Sequence, residues 1–192
     1  MATASRGAAP VPLEAPLAPV AERVADLNRG YRHHAATEVL ERALNDPQVG
    51  RTALVSSFGA ESVVLLHLVS VIDRTTPVRF VDTRMLFEET IAYQTELAEK
   101  LELTDVRRIR ASHLDLWTKD RDGTLHRRDP AACCAPRKTE PLSQAPEGLH
   151  AWITARKRFP SRRRAAPALF QDADPRRLDV HLVAHPAPPD AL

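Results

Sequence analysis

The sequence predicts an α/β domain: an open parallel sheet flanked by helices. Three observations carry that expectation. Short β-branched runs, Thr52–Val55, Val78–Val81 and Ala151–Thr154, alternate with longer segments of helical period, the pattern of parallel strands linked by crossover helices. Turn residues such as Asp46-Pro47 and Asp122-Gly123 fall between the runs. The 192 residues suffice for one buried core, and no internal repeat breaks them into smaller units.

The elements follow in order. Residues 1–19 are rich in Ala and Pro and are expected to be disordered. Helical patterns cover Ala21–Asn28 and Ala35–Leu44, with His33-His34 placed on a helix surface, since neither histidine has a partner at metal-ligand spacing. A buried strand at Arg51–Ser56 runs through the turn Ser57-Phe58-Gly59 into Glu61–Ile72. That segment is apolar nearly all round and predicts a buried helix. After the Val78–Val81 strand, Leu86, Tyr93, Leu97 and Leu101 mark one helix face. A third strand fits Asp105–Ile109, a helix fits Leu114–Lys119, and Ala151–Thr154 is a further strand. Beyond Arg164 the pattern decays, with Leu178–Val183 as one more candidate strand. The domain is therefore expected over residues 20–184, incomplete at its end, with 185–192 as a loose Pro-rich tail.

Composition narrows the function. The longest apolar stretch, Val63–Val71, is interrupted by His67 and too short to span a bilayer; Pro10, Pro12, Pro16 and Pro19 break any secretory leader. A cytoplasmic address without membrane partners is the expectation. The net charge of +2 calls for no nucleic-acid partner, and no aromatic residues interleave the one basic run, Arg156–Arg164, for base stacking. That run suits either an anionic ligand or a solvated loop. The two cysteines, Cys133 and Cys134, are adjacent. Neighbouring Cα atoms lie about 3.8 Å apart, too close for an unstrained disulfide, which leaves metal ligands or reduced thiols.

The segment Ser56-Ser57-Phe58-Gly59-Ala60-Glu61-Ser62 joins a strand to a helix. Small hydroxyl residues, a glycine and the positive end of a helix dipole favour phosphate or sulfate, although an ordinary strand-to-helix turn has the same spacing. It is neither the Walker phosphate loop nor the dinucleotide glycine fingerprint.

Four segments in the same order resemble the phosphoadenylyl-sulfate and adenylyl-sulfate reductase family: Ser56–Ser62; Asp82–Phe87 with Glu89-Thr90; Cys133-Cys134 followed by Arg137-Lys138; and Trp152–Thr154 running into Arg156–Arg158. The resemblance extends from Arg51 to Leu169. It implies an adenine nucleotide alpha hydrolase-like fold with the nucleotide at the carboxyl ends of the strands. It also implies that Ser56, Ser57, Phe58, Gly59, Glu61 and Ser62 hold the phosphosulfate, that Asp82 and Thr83 lie beside the adenosine, and that Lys138, Arg156 and Arg164 contact the anionic end. Ala155 stands where the family has a glycine.

Vicinal cysteines mark the branch of this family that uses adenylyl sulfate and carries a [4Fe–4S] cluster, so the resemblance makes Cys133 and Cys134 half of a ligand set. It further implies reduction of adenylyl sulfate (or phosphoadenylyl sulfate) to sulfite and AMP (or PAP). A C-terminal cysteine attacks the sulfur, and thioredoxin frees the product. These 192 residues hold no such cysteine and no second pair. The expectations are thus an absent catalytic nucleophile, an incomplete or missing cluster, and adenylyl sulfate or AMP as ligand, with a homo-oligomer possible. Two alternatives stay open: a non-catalytic nucleotide-binding module, and an adenylating ATP pyrophosphatase. The second group has Ser-Gly-Gly-x-Asp-Ser where this chain has Ser57-Phe58-Gly59-Ala60-Glu61-Ser62, with Phe58 and Glu61 as the departures.

Overall fold

The computed structural model describes residues 17–144, 148–154, 168–174 and 177–181. In chain order these form α1 (Val20–Tyr31), α2 (Ala36–Ala43), β1 (Thr52–Ser56), α3 (Ala60–Ile72), β2 (Val78–Val81), α4 (Glu88–Lys100) and β3 (Val106–Ile109). Then come α5 (His113–Lys119), α6 (Leu125–Arg128), α7 (Pro130–Cys134), a π-helical segment (Ala135–Thr139), α8 (Glu140–Ser143), β4 (Ala151–Thr154), β5 (Phe170–Asp174) and β6 (Arg177–His181).

The sheet runs β3-β2-β1-β4-β6-β5. β1 pairs in parallel with β2 on one side and β4 on the other. Strand order therefore reverses at β1, and the crevice at the carboxyl ends of β1 and β4 is where open α/β sheets place ligands. β2–β3 and β4–β6 are also parallel, whereas β5 pairs with β6 antiparallel. The expected parallel sheet is thus mixed at one edge. Only two residues separate β5 from β6, a connection that permits a hairpin but no parallel crossover.

Strand pleating sorts the side chains. Leu54, Val78, Phe80, Ile153, Leu178 and Val180 face one side and form a single core with Leu27 of α1, Leu40 of α2, Leu66 and Val69 of α3, and Leu97 of α4. Their alternates Val55, Val81, Trp152, Thr154 and Asp179 face the other side, where the helical run from Pro130 to Ser143 passes over the strand ends. Edge strand β5 is held by Asn28 of α1. Its amide donates to the Phe170 carbonyl at 2.8 Å and its carbonyl accepts from the Phe170 N–H at 3.1 Å, copying a ladder bond at an otherwise open edge.

Several local expectations change. α3 is not buried all round: Val64 and Val71 are 60% and 70% exposed, because one layer of strands covers only one helix face. Tyr93 is 42% exposed, and Gln94 is buried in its place on α4. α1 runs three residues beyond the predicted Asn28, to Tyr31. His33 and His34 sit in the turn between α1 and α2, not on a helix; the Tyr31 ring lies 5.5 Å from that of His34. Leu17–Pro19, expected to be disordered, lead directly into α1, and Leu17 packs beside Gly50. The helices from Leu125 to Ser143 and strand β5 have no counterpart in the sequence reading. The expected strand at Leu178–Val183 is β6, starting one residue earlier; Leu182, Val183 and the 185–192 tail lie outside the described residues. No helix among the described residues is long and apolar enough to cross a membrane.

Candidate nucleotide site

β1 ends in a loop whose shape is set by Phe58. Its backbone is left-handed, with φ 56°, and its side chain is 1% exposed, edge-on to Phe80 with ring centroids 5.4 Å apart. Burial of the ring holds a conformation that a non-glycine residue ordinarily avoids. The Phe58 N–H donates to Ser56 Oγ at 3.0 Å, so both groups are used within the loop. Gly59 has an ordinary extended backbone as N-cap of α3, with φ −68°. A Cβ there would lie 3.5 Å from Ser57 Oγ, ordinary contact, so the loop's special backbone belongs to Phe58.

The β2–α4 loop is fixed in a similar way. Asp82 is buried and accepts from the Arg84 N–H at 2.9 Å and Arg110 Nε at 2.8 Å. Arg84, itself at φ 59°, donates through Nε to the Ala111 carbonyl at 2.9 Å, joining this loop to the one after β3.

The cysteines lie at the end of α7, whose N-cap Asp129 accepts from the Ala132 N–H at 2.9 Å, with Pro130 in the first turn. Pro136, lacking an N–H, cannot close the α-helical bond to Ala132, and the chain widens into the π-helical turn before tightening again at Glu140. Cys133 is buried, Cys134 is exposed, and both are free thiols. Arg137 is 6% exposed and donates to Asp120 Oδ2 at 2.6 Å and the Thr83 carbonyl at 3.0 Å. Asp120 also accepts from the Leu125 N–H at 2.9 Å. The Arg137 hydrogen bond, then that from Leu125, holds the Asp120 carboxyl below the usual carboxylate range. Lys119 of α5 pairs with Glu140 of α8, closing the same corner.

Together these elements wall a cavity of about 940 Å³ at the carboxyl ends of β1, β2 and β4. Of the residues singled out from sequence, Ser56, Ser57, Thr83, Cys133, Cys134 and Lys138 line it. Phe58, Gly59, Ser62 and Asp82 do not: Phe58 packs into the core, and Asp82 is spent on the loop. The Glu61 side chain, Arg156 and Arg164 lie outside the described residues. The lining also includes His126, Trp152, Arg177 and Asp179, which no sequence motif flagged as ligand contacts. Arg177 sits over the Trp152 ring, 5.3 Å from its centroid, and donates to the Ser143 carbonyl at 3.1 Å. An aromatic on one predicted strand and a cation just before another gave no spacing to read. Apolar Val55, Val81, Leu86 and Leu142 complete the walls. Apolar walls with a few convergent polar groups suit a ligand with a flat base and an anionic end.

A family model for the phosphoadenosine phosphosulfate reductase domain matches residues 51–181. The chain belongs to this reductase family. It is 40% identical over 166 residues to adenosine 5'-phosphosulfate reductase of Mesorhizobium japonicum, covering 86% of this chain and 65% of that protein. It is 39% identical over 170 residues to the protein of the same name from a Chelativorans species, covering 88% and 67%. The chain thus spans about two thirds of the length of these relatives. Phosphoadenylyl-sulfate reductase from Candida auris, in a phosphate complex, shares the fold, with TM-score 0.64 over 83% of this chain and 77% of that one at 19% identity.

For the reductase family's iron–sulfur branch the donor set can be tested directly. A [4Fe–4S] cluster takes four thiolates, and the 192 residues hold two cysteines. Among the described residues no group of three or more His, Cys, Asp or Glu is arranged to hold a metal ion. The pair alone does not fit the cluster.

Proposed function

We propose that this chain is the nucleotide-binding core of an adenylyl-sulfate reductase acting in reductive sulfate assimilation, with adenylyl sulfate or AMP in the cavity between β1, β4 and the cysteine-bearing helix. The observation that carries this reading is the convergence of Ser56, Ser57, Thr83, Lys138 and the two cysteines on one cavity. Lys138 is exposed there with no partner among the described residues, so its charge is available to the phosphosulfate. The hydroxyls of Ser57 and Thr83 supply neutral donors. Arg156 and Arg164, if they contact the nucleotide, would add forked donors suited to a phosphate–sulfate anhydride. The names of the M. japonicum and Chelativorans relatives and the vicinal cysteines favour the adenylyl-sulfate form over its 3'-phosphorylated counterpart. In this reading the chain works in the cytoplasm, thioredoxin is the reductant, homo-oligomers are open to it, and nucleic acid is not a partner.

Reduction needs a thiolate nucleophile on a segment free to reach the sulfur. Cys133 is buried and Cys134 sits on a helix. That placement favours a second reading for the 192 residues acting alone: nucleotide binding without turnover.

Calorimetry with adenylyl sulfate, AMP, ATP and NAD tests both readings. AMP and adenylyl sulfate should bind best. Lys138→Ala or Ser57→Ala should weaken them about tenfold, the value of one hydrogen bond to a charged group, while Ser62→Ala should leave them within about threefold. Tightest binding of NAD would overturn the site, and tightest binding of ATP with release of pyrophosphate would favour an adenylating enzyme. Sulfite formed from adenylyl sulfate and reduced thioredoxin would overturn the reading without turnover.

A further inference from the structure

We propose that Arg137 is a positioning residue. Its guanidinium, shared between Asp120 and the Thr83 carbonyl, fixes the helical phase that keeps Cys133 buried in the cavity wall and leaves Cys134 and Lys138 exposed there. The consequence for nucleotide affinity rests on the site proposed above; the consequence for the cysteines stands without it.

Three elements meet on this side: the β2–α4 loop, the turn after α5, and the π-helical segment, the first and third of which line the cavity. Arg137 ties them together, donating at 3.0 Å to Thr83 in the first and at 2.6 Å to Asp120 in the second from its own place in the third. Both side chains of the ion pair are buried, at 7% and 0% exposure. The Arg137 Nε is buried as well, with no hydrogen-bond partner. A buried pair with an orphaned donor is poor evidence for stability, since apolar residues of similar volume often serve as well or better. Here its value lies in geometry. Two acceptors on two different elements are reached by one planar fork, which a lysine ammonium cannot reproduce.

The segment needs such a tie. With Pro136 unable to donate, the helix takes up an extra residue between the cysteines and Glu140. If that wide turn relaxed to α-helical phase, everything after it would rotate by about 100°, one residue's share of a 3.6-residue turn. Lys138, a residue of the turn itself, would be re-aimed, and the helix end carrying the cysteines would lose its fixed orientation.

The full 192-residue chain, reduced and treated with chelator, is labelled with N-ethylmaleimide, and the rates at Cys133 and Cys134 are read by mass spectrometry. In the unsubstituted chain Cys134 should react about tenfold faster or more, because a buried thiol reacts only on local opening. In Arg137→Lys the ratio should collapse to within about threefold, and AMP affinity should fall about tenfold. The double variant Arg137→Met/Asp120→Leu separates positioning from stability: it should melt close to the unsubstituted chain yet lose the labelling ratio in the same way. A retained ratio in either folded variant overturns the proposal. Should the double variant fail to fold, the ratio in Arg137→Lys decides alone. If AMP binds none of the proteins, the nucleotide site falls while the labelling ratio still decides the positioning role.

Discussion

Replacing Phe58 tests whether the loop after β1 is shaped from below, by the core, or from above, by a ligand. The ring is 1% exposed and packed edge-on to Phe80 at 5.4 Å. Phe58→Ala removes that burial and leaves a cavity, at a cost of about 3–5 kcal/mol, of which the aromatic pair accounts for about 0.5–1.5. The left-handed backbone at φ 56° adds a second signature. Alanine carries the same Cβ penalty as phenylalanine there, whereas glycine carries none. Phe58→Gly should therefore be less destabilising than Phe58→Ala by about 1 kcal/mol, the reverse of their usual order. Urea unfolding reads both numbers. With m of about 2 kcal/mol per molar, the alanine variant's midpoint should fall by about 2 M. A loss under about 1 kcal/mol for Phe58→Ala, or alanine and glycine in their usual order, would refute the argument that core packing dictates this loop.

Two further outcomes follow from the hydrogen bonds. Arg137 and Leu125 hold the Asp120 carboxyl below the usual range, as Thr75 does for Asp73 and Thr124 for Asp122. A carboxyl whose folded pKa is depressed contributes stability that is complete above its unfolded pKa, about 4, and is lost as pH falls through the folded value. Urea midpoints followed into that acid range should decline, and Asp120→Asn should make the decline shallower; an unchanged acid limb would remove the Arg137 pair from the account. Asn28→Ala deletes both bonds to Phe170 and should cost about 2 kcal/mol, with faster amide hydrogen exchange along β5. Unaltered exchange there would show that β5 is held by β6 alone.

The sequence by itself determined the α/β class, four of the six strands closely, and the segments that carry the family resemblance. Those properties are local. A β-branched run such as Thr52–Val55 is written in neighbouring residues. The antiparallel edge was not legible, because β5 reads as the polar Phe-Gln-Asp-Ala-Asp and owes its place to Asn28, 142 residues away in sequence. Nor was the inside of the loop distinguishable from its outside. Phe58 and Asp82 sit within segments that carry the family resemblance, yet one is absorbed by Phe80 and the other by Arg84 and Arg110. Arg177 and Trp152 entered the cavity wall only when β6 paired with β4. A motif records which residue types share a segment. Which of their side chains faces a ligand is settled by long-range packing, since a strand pleat, a left-handed turn and a π-helical residue each redirect a side chain at a cost that only the assembled core repays.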